Sequence, residues 1–333
     1  MSAWGISRYG FFFGIRGLSN YNLSCCVNSL LQSLFATSEL VELLQRWDPA
    51  GSGEDRRNVP LQLKRTFADM KSDRPQTAPH RNFLHSLDQN RVRLNVQHDA
   101  DEVFLSILHF IQQQMDDKAL ALEIQNLYKI AVETCLQCLK CSSVQTRSSY
   151  TLTLPLHVKE DEDSLEGCIS SFLTEQLLTD VDSCFCEQCG AKTPSKWRLK
   201  LLSLPPILCV HLKRFRSISG ETRKLDCKVT FPERFDFSEV AQDAFPPDAA
   251  KKAGVYTLYA VVVHSGFAMF GHYTAFIHHR ETQRWYYAND SHVEEASWEE
   301  VQQTYGGYRR HTAYMLMYRR DSKQEGQQSE LSG

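Results

Sequence analysis

No apolar run in the 333-residue chain approaches the roughly 20 residues a membrane-spanning helix needs. Near the start, Phe11-Phe12-Phe13 is hemmed in by Gly10, Gly14 and Arg16, too short a run for the apolar core of a secretory signal. Neither sign of charge dominates: 37 Lys and Arg against 40 Asp and Glu leave a net charge of −3, and no basic stripe is present. The electrostatic footprint of a nucleic-acid binder is therefore missing. These absences predict neither a membrane nor a nucleic acid as partner. No internal repeat occurs.

Eleven cysteines without a signal segment read as metal ligands and reactive thiols in a reducing compartment, so the expected location is the cytoplasm, with the nucleus also open. A composition of 42% hydrophobic and 23% charged residues suffices for a core, and the length allows one large domain or two small ones.

The clearest pattern lies between Gly17 and Phe35, GLSNYNLSCCVNSLLQSLF. Val27, Leu30, Leu31, Leu34 and Phe35 form the i, i+3, i+4, i+7, i+8 stripe of an amphipathic helix. Ser19, Asn20, Asn22 and Ser24 are turn and cap formers, so the helix begins near Ser24 to Cys26. Cys25 and Cys26 then sit at a helix N-terminus, where unpaired N–H groups and the macrodipole stabilise a thiolate. Asn20 could aim an amide N–H at an oxyanion forming beside that sulfur. On the helix alone, a small buried cysteine is the simpler reading.

Helical periodicity continues over Leu40 to Trp47, Val59 to Met70 and Val103 to Ile111, with a polar loop from Asp48 to Asn58. From Tyr128 the period changes to two. Tyr128 to Glu133 and Tyr150 to Val158 alternate, and a short helix is expected over Leu165 to Leu178. Further strands are expected over Trp197 to Leu204, Ile207 to Arg214, Tyr256 to His264, His272 to His278, Arg284 to Tyr287 and Ala313 to Tyr318. Phe235 to Gly254 reads as a long loop and Asp321 to Gly333 as a disordered tail. Helices first and strands after argue an α+β fold.

Two C-x-x-C knuckles, Cys138/Cys141 and Cys186/Cys189, supply the four thiolates of a structural Zn²⁺ site. Cys135-x-x-Cys138 is an equally good knuckle, and Cys184 adds a further thiol. Between two glycines, His264-Ser-Gly266-Phe-Ala-Met-Phe-Gly271-His272-Tyr offers two imidazoles as general base, His264 and His272. Downstream, Asn289-Asp290 ends a strand; a side-chain carbonyl there could hold an imidazole tautomer. Asp99 and Glu102 read as an N-cap pair before an apolar helix. His211, in a buried strand, reads as a core histidine.

In order along the chain, Asn20–Ser24–Cys25–Asn28–Gln32, Gln97-His-Asp-Ala, the two knuckles, Leu212-Lys-Arg-Phe, Gly271-His-Tyr and Asn289-Asp290 resemble the boxes of the ubiquitin-specific proteases, a papain-like family. The departures are Asn22 where the family has Gly, Ser24 where it has Thr, Cys26 where it has an aromatic, and Ala288 where it has Phe.

The resemblance implies a papain-like cysteine protease with thumb, palm and zinc-ribbon fingers. It implies an N-terminal extension over 1–16, a catalytic domain over 17–320 with fingers at 128–203, and a tail beyond. It selects Cys25 as nucleophile, His272 as base, Asn289 as third member with Asp290 beside it, and Asn20 as oxyanion donor. Asp99 and Glu102 would face the arginine of a modifier tail, and Cys138, Cys141, Cys186 and Cys189 would hold structural zinc, with no catalytic cofactor. The implied reaction is hydrolysis after the C-terminal Gly-Gly of a ubiquitin-like modifier on substrate lysines. Within the family, the Cys-Cys pair and the Val-Gln-His-Asp-Ala run are most similar to the branch acting on the interferon-stimulated tandem modifier. That branch implies a monomer whose partners are modifier conjugates and interferon-signalling proteins. A general deubiquitinase and a non-catalytic zinc-ribbon scaffold are the alternatives.

Overall fold

The stripe beginning at Val27 forms helix α1, Cys25–Phe35, with Leu30, Leu31 and Leu34 wholly buried. Each such side chain contributes about 1.5–3 kcal/mol by leaving water. The computed structural model describes residues 11–12, 15–49, 55–72, 76–218, 220–240, 254–307 and 310–321. Helices α2 (Ser38–Arg46), α3 (Val59–Met70), α4 (Arg81–Gln89), α5 (Ala100–Gln114) and α6 (Lys118–Tyr128) complete the thumb around α1. Asn58, Asp99 and Asp117 cap α3, α5 and α6 with their side-chain oxygens.

The palm is a mainly antiparallel sheet ordered His292–Ala296, Arg284–Asn289, Gly271–His279, Val255–Gly266, His311–Arg320, Ile207–Lys213, Leu154–His157. Only the last pair runs parallel among those seven strands. One face buries Tyr259, Val262, Ala275 and Met315 against the thumb, and the other buries Val261, Phe276 and Leu316 with the helix Leu165–Leu173. That alternation is the period-2 signature of a sheet covered on both sides. The fingers are a separate antiparallel sheet ordered Val144–Thr151, Ile130–Cys138, Ser195–Ser203, Gln176–Leu178. The α+β expectation holds.

Three boundaries differ from the sequence reading. Tyr128 closes α6 instead of opening a strand, because Leu120, Ala121, Ile124 and Tyr128 make one buried helical face after the Asp117 cap. The alternating run Tyr150 to Val158 is two strands in two sheets, parted where the Thr151 hydroxyl donates to the Thr153 carbonyl at 2.9 Å. The helix begun at Leu165 stops at Leu173, and Gln176–Leu178 joins the finger edge. Residues 322–333 of the expected tail and 241–253 of the expected loop lie outside the described residues; Asp321, expected to open the tail, is held by its N–H on the Val255 carbonyl at 2.8 Å, and the expected loop starts as the end of a palm-paired strand, Arg234–Asp236, followed by a short helix, Phe237–Val240.

Candidate active site

The loop before α1 is shaped by unusual backbone. Asn22 and Leu23 take φ values of 50° and 67°, the left-handed region that asparagine tolerates best after glycine. Ser24 does not cap the helix; its hydroxyl accepts the Tyr21 N–H at 2.8 Å and so closes the turn. At Gly17 a Cβ would lie 2.3 Å from the Ser291 carbonyl oxygen, and the next residue, Leu18, donates its N–H to the Asp290 carbonyl at 2.8 Å. The loop before α1 is thereby pinned to the turn that follows the Asn289 strand.

Cys25 opens α1 and hydrogen-bonds to His272, at the start of the palm strand Gly271–His279. The ring's Nε2 faces Asn289 Oδ1 at 2.7 Å, which leaves Nδ1 for the thiol. The Cys25 bond, then the Asn289 bond and the Cys25 and Asp290 charges, outweigh burial and push His272 up to about 9. That value keeps the imidazole protonated at neutral pH. Asp290 Oδ2 lies 3.9 Å from His272 Nε2 but is tied elsewhere: it accepts the Asn20 amide at 2.8 Å, while Oδ1 accepts the Asn28 amide at 2.7 Å. Asn20 thus gives one amide hydrogen to Asp290, while its Oδ1 accepts the Ser24 N–H at 3.2 Å.

The rival residues are placed differently. Cys26 is buried, and desolvation together with the nearby Cys25 and Asp99 charges raises its thiol far above the ordinary range. His264 is buried under Phe215 and Tyr273, and desolvation with the Lys224 charge lowers it to about 3, so it is neutral. Asp99 caps α5 through the Asp101 N–H at 2.8 Å and accepts the Tyr314 hydroxyl, while Glu102 is exposed one turn on. No reciprocal Glu102 bond completes a capping box; Asp99 works alone. His211 is a core residue, its Nδ1 3.2 Å from Asp101. Sequence reasoning placed Asn28 in the motif without a role; its spacing of three from Cys25 on α1 was the available signal.

At the finger tip the sulfurs of Cys138, Cys141, Cys186 and Cys189 all lie within 4.8 Å of one another, with Cys141–Cys186 at 3.5 Å and Cys138–Cys189 at 4.0 Å. A tetrahedron of thiolates 2.3 Å from zinc has edges of about 3.8 Å, so the four sulfurs fit that ion. Thr193, 3.1 Å from the Cys138 sulfur, with backbone N–H groups behind it, pushes that thiol down to about 6. Cys135 stands outside the cluster against Glu133, and Cys184 against the Asp182 carbonyl. The knuckle ambiguity resolves in favour of Cys138/Cys141.

A thiol at a helix start on one lobe, facing an imidazole and its amide partner on a sheet, is the architecture of the papain-like cysteine hydrolases. Residues 16–318 match the family model for ubiquitin carboxyl-terminal hydrolase. The chain belongs to that family, and so to the cysteine proteases acting on ubiquitin-like modifiers. It is 36% identical over 315 residues to "Ubl carboxyl-terminal hydrolase 18" of Homo sapiens, covering 92% of this chain and 85% of that protein. Identity to the protein of the same name in Mus musculus is 37% with the same coverage. "Ubiquitin carboxyl-terminal hydrolase 47" of Xenopus laevis is 27% identical over 376 residues, which is 92% of this chain but 28% of that longer protein.

Proposed function

We propose that this chain hydrolyses the bond after the C-terminal Gly-Gly of a ubiquitin-like modifier joined to substrate lysines, and that the modifier is the interferon-stimulated tandem protein. The observation that carries the chemistry is the Cys25–His272 hydrogen bond, with His272 held in its protonated form. In this reading the Cys25 sulfur attacks the glycine carbonyl, and the developing oxyanion takes the second Asn20 amide hydrogen. The C–N bond breaks as His272 passes its proton to the leaving lysine amine. Water then gives a proton to His272 and its oxygen to the thioester carbonyl; the C–S bond breaks, and the modifier leaves as a carboxylate. Asn289 holds the ring through Nε2, and Asp290 holds Asn20.

Asp99 and Glu102 receive the arginine of the modifier tail. Asp99 has lone pairs left after the Tyr314 hydroxyl and the Asp101 N–H. Zinc occupies the four-cysteine cluster and ties the two finger hairpins together; it stabilises the fold and takes no part in the reaction. One catalytic domain spans 17–320. The eleven cysteines, all free thiols, suit a cytoplasmic or nuclear enzyme meeting conjugates of interferon-signalling proteins.

Choice of the tandem modifier is supported by similarity to proteins named Ubl carboxyl-terminal hydrolase 18. Similarity to a ubiquitin carboxyl-terminal hydrolase favours a second reading, a general deubiquitinase. Matched probes of ubiquitin, the tandem modifier and its isolated C-terminal half, each with an electrophilic C-terminus, separate the two. Faster reaction of the tandem modifier is expected. Equal rates with ubiquitin would leave the general reading.

A further inference from the structure

Behind the Asp290 carboxylate lies a second row of polar groups that the reaction above does not use. Asn28 Nδ2, which donates to Asp290 Oδ1 at 2.7 Å, also lies 3.4 Å from the Leu18 carbonyl and 3.3 Å from that of Ser19. Three acceptors around one nitrogen fix which end of this amide is which. Its oxygen turns the other way and meets His80 Nε2 at 2.8 Å. Both ring nitrogens face oxygens that only accept, Asn28 Oδ1 at 2.8 Å and the Ala78 carbonyl at 3.2 Å, and the shorter contact at Nε2 takes the single N–H of the neutral ring.

His80 is 1% exposed. It occupies the N-cap position of α4 but caps no helix N–H, so the usual reason for a polar residue there is missing. The Tyr21 ring covers it with centroids 5.5 Å apart, and the Arg81 guanidinium lies 4.3 Å over Tyr21. Its Nδ1 is 3.2 Å from the Ala78 carbonyl. Burial lowers its pKa below the ordinary histidine value, against the pull of Ala78 and Asp290.

We propose that His80 is a positioning residue for the hydrolysis: its Nε2–H holds the Asn28 amide with nitrogen toward Asp290, and so fixes the carboxylate that orients Asn20 and faces His272. This rests on the hydrolase reading above. The Leu18 and Ser19 carbonyls, at 3.4 and 3.3 Å, hold the nitrogen end only loosely, and the His80 donor at 2.8 Å is what holds the oxygen end; without it the amide is freer to rotate. A rotated amide would set its oxygen against the Asp290 carboxylate and displace the partner of Asn20.

His80→Thr separates positioning from stability. Threonine is a favoured N-cap, so α4 should form at least as well, but its hydroxyl is too short to reach Asn28. His80→Gln keeps an N–H donor of similar reach. The measurement is kcat and KM on fluorogenic C-terminal amides of the tandem modifier and of ubiquitin, with and without Asp290→Ala. His80→Thr should lower kcat about tenfold with KM unchanged, and add no loss once Asp290 is alanine, because it acts through that carboxylate. His80→Gln should recover most of the lost kcat. Equal loss in both Asp290 backgrounds, no recovery with glutamine, or an unaffected kcat in His80→Thr would overturn the proposal while leaving the hydrolase reading intact. A parent protein that turns over neither substrate would overturn both.

Discussion

The His272 ring directs Nε2 at the side-chain oxygen of Asn289, 2.7 Å away, on the neighbouring palm strand. A neutral amide oxygen therefore fixes the orientation of this imidazole, and the nearby carboxylate of Asp290 acts chiefly on the asparagines of the opposite lobe. Asn289→Ala should lower kcat by about 10- to 100-fold and leave measurable activity, since the Cys25 bond still holds the ring. Asp290→Ala should cost at least as much, because it releases Asn20 and Asn28 together. Single-turnover rates on a modifier with a C-terminal fluorogenic amide check this. Activity in Asn289→Ala as low as in His272→Ala would contradict it.

The protonation of His272 gives the site a pH signature. Its folded-state value of about 9 lies above the ordinary 6.5. The stabilisation it brings is therefore complete below about 6.5 and is lost as pH rises through about 9. Turnover should decline on the alkaline side near that value, as the proton for the leaving amine disappears. Cys25→Ala removes the largest cause of the upward shift, so the ring should then titrate at lower pH. NMR titration of the imidazole in both proteins reads this; an unchanged His272 value in Cys25→Ala would show that the thiol is not its partner.

Elemental analysis of folded protein should find one zinc per chain. Cys138→Ser or Cys189→Ser should lose the metal and unfold more readily, whereas Cys135→Ser should keep it, because Cys135 lies outside the cluster. Retention of metal in Cys138→Ser and its loss in Cys135→Ser would reverse the assignment.

Much of the fold was legible because long periodic stretches carry their own evidence. The α1 stripe was read to within a residue of its start, and each expected palm strand formed. Tyr128 was misread because an apolar residue every second position also ended a helix, and only the upstream Asp117 cap told the two apart. The run from Tyr150 to Val158 looked continuous because both its strands alternate; which sheet each joins depends on partners far away in sequence. In the site, the motifs named Cys25, His272 and Asn289 in the order in which the fold assembles them. His80 carries no motif at all. Its link to Asp290 passes through Asn28 and depends on helix α1, the start of α4 and the turn after Asn289 meeting, which no local pattern encodes.

The claim on which the rest depends is that Cys25 attacks the modifier's C-terminus. It is tested by reacting the protein with a modifier bearing an electrophilic C-terminus and mapping the adduct by mass spectrometry. The expected product is one modifier per chain joined to Cys25, absent in Cys25→Ala and retained in Cys26→Ala, whose thiol is buried and hard to ionise. An adduct on Cys26, or one that survives Cys25→Ala, would contradict the account.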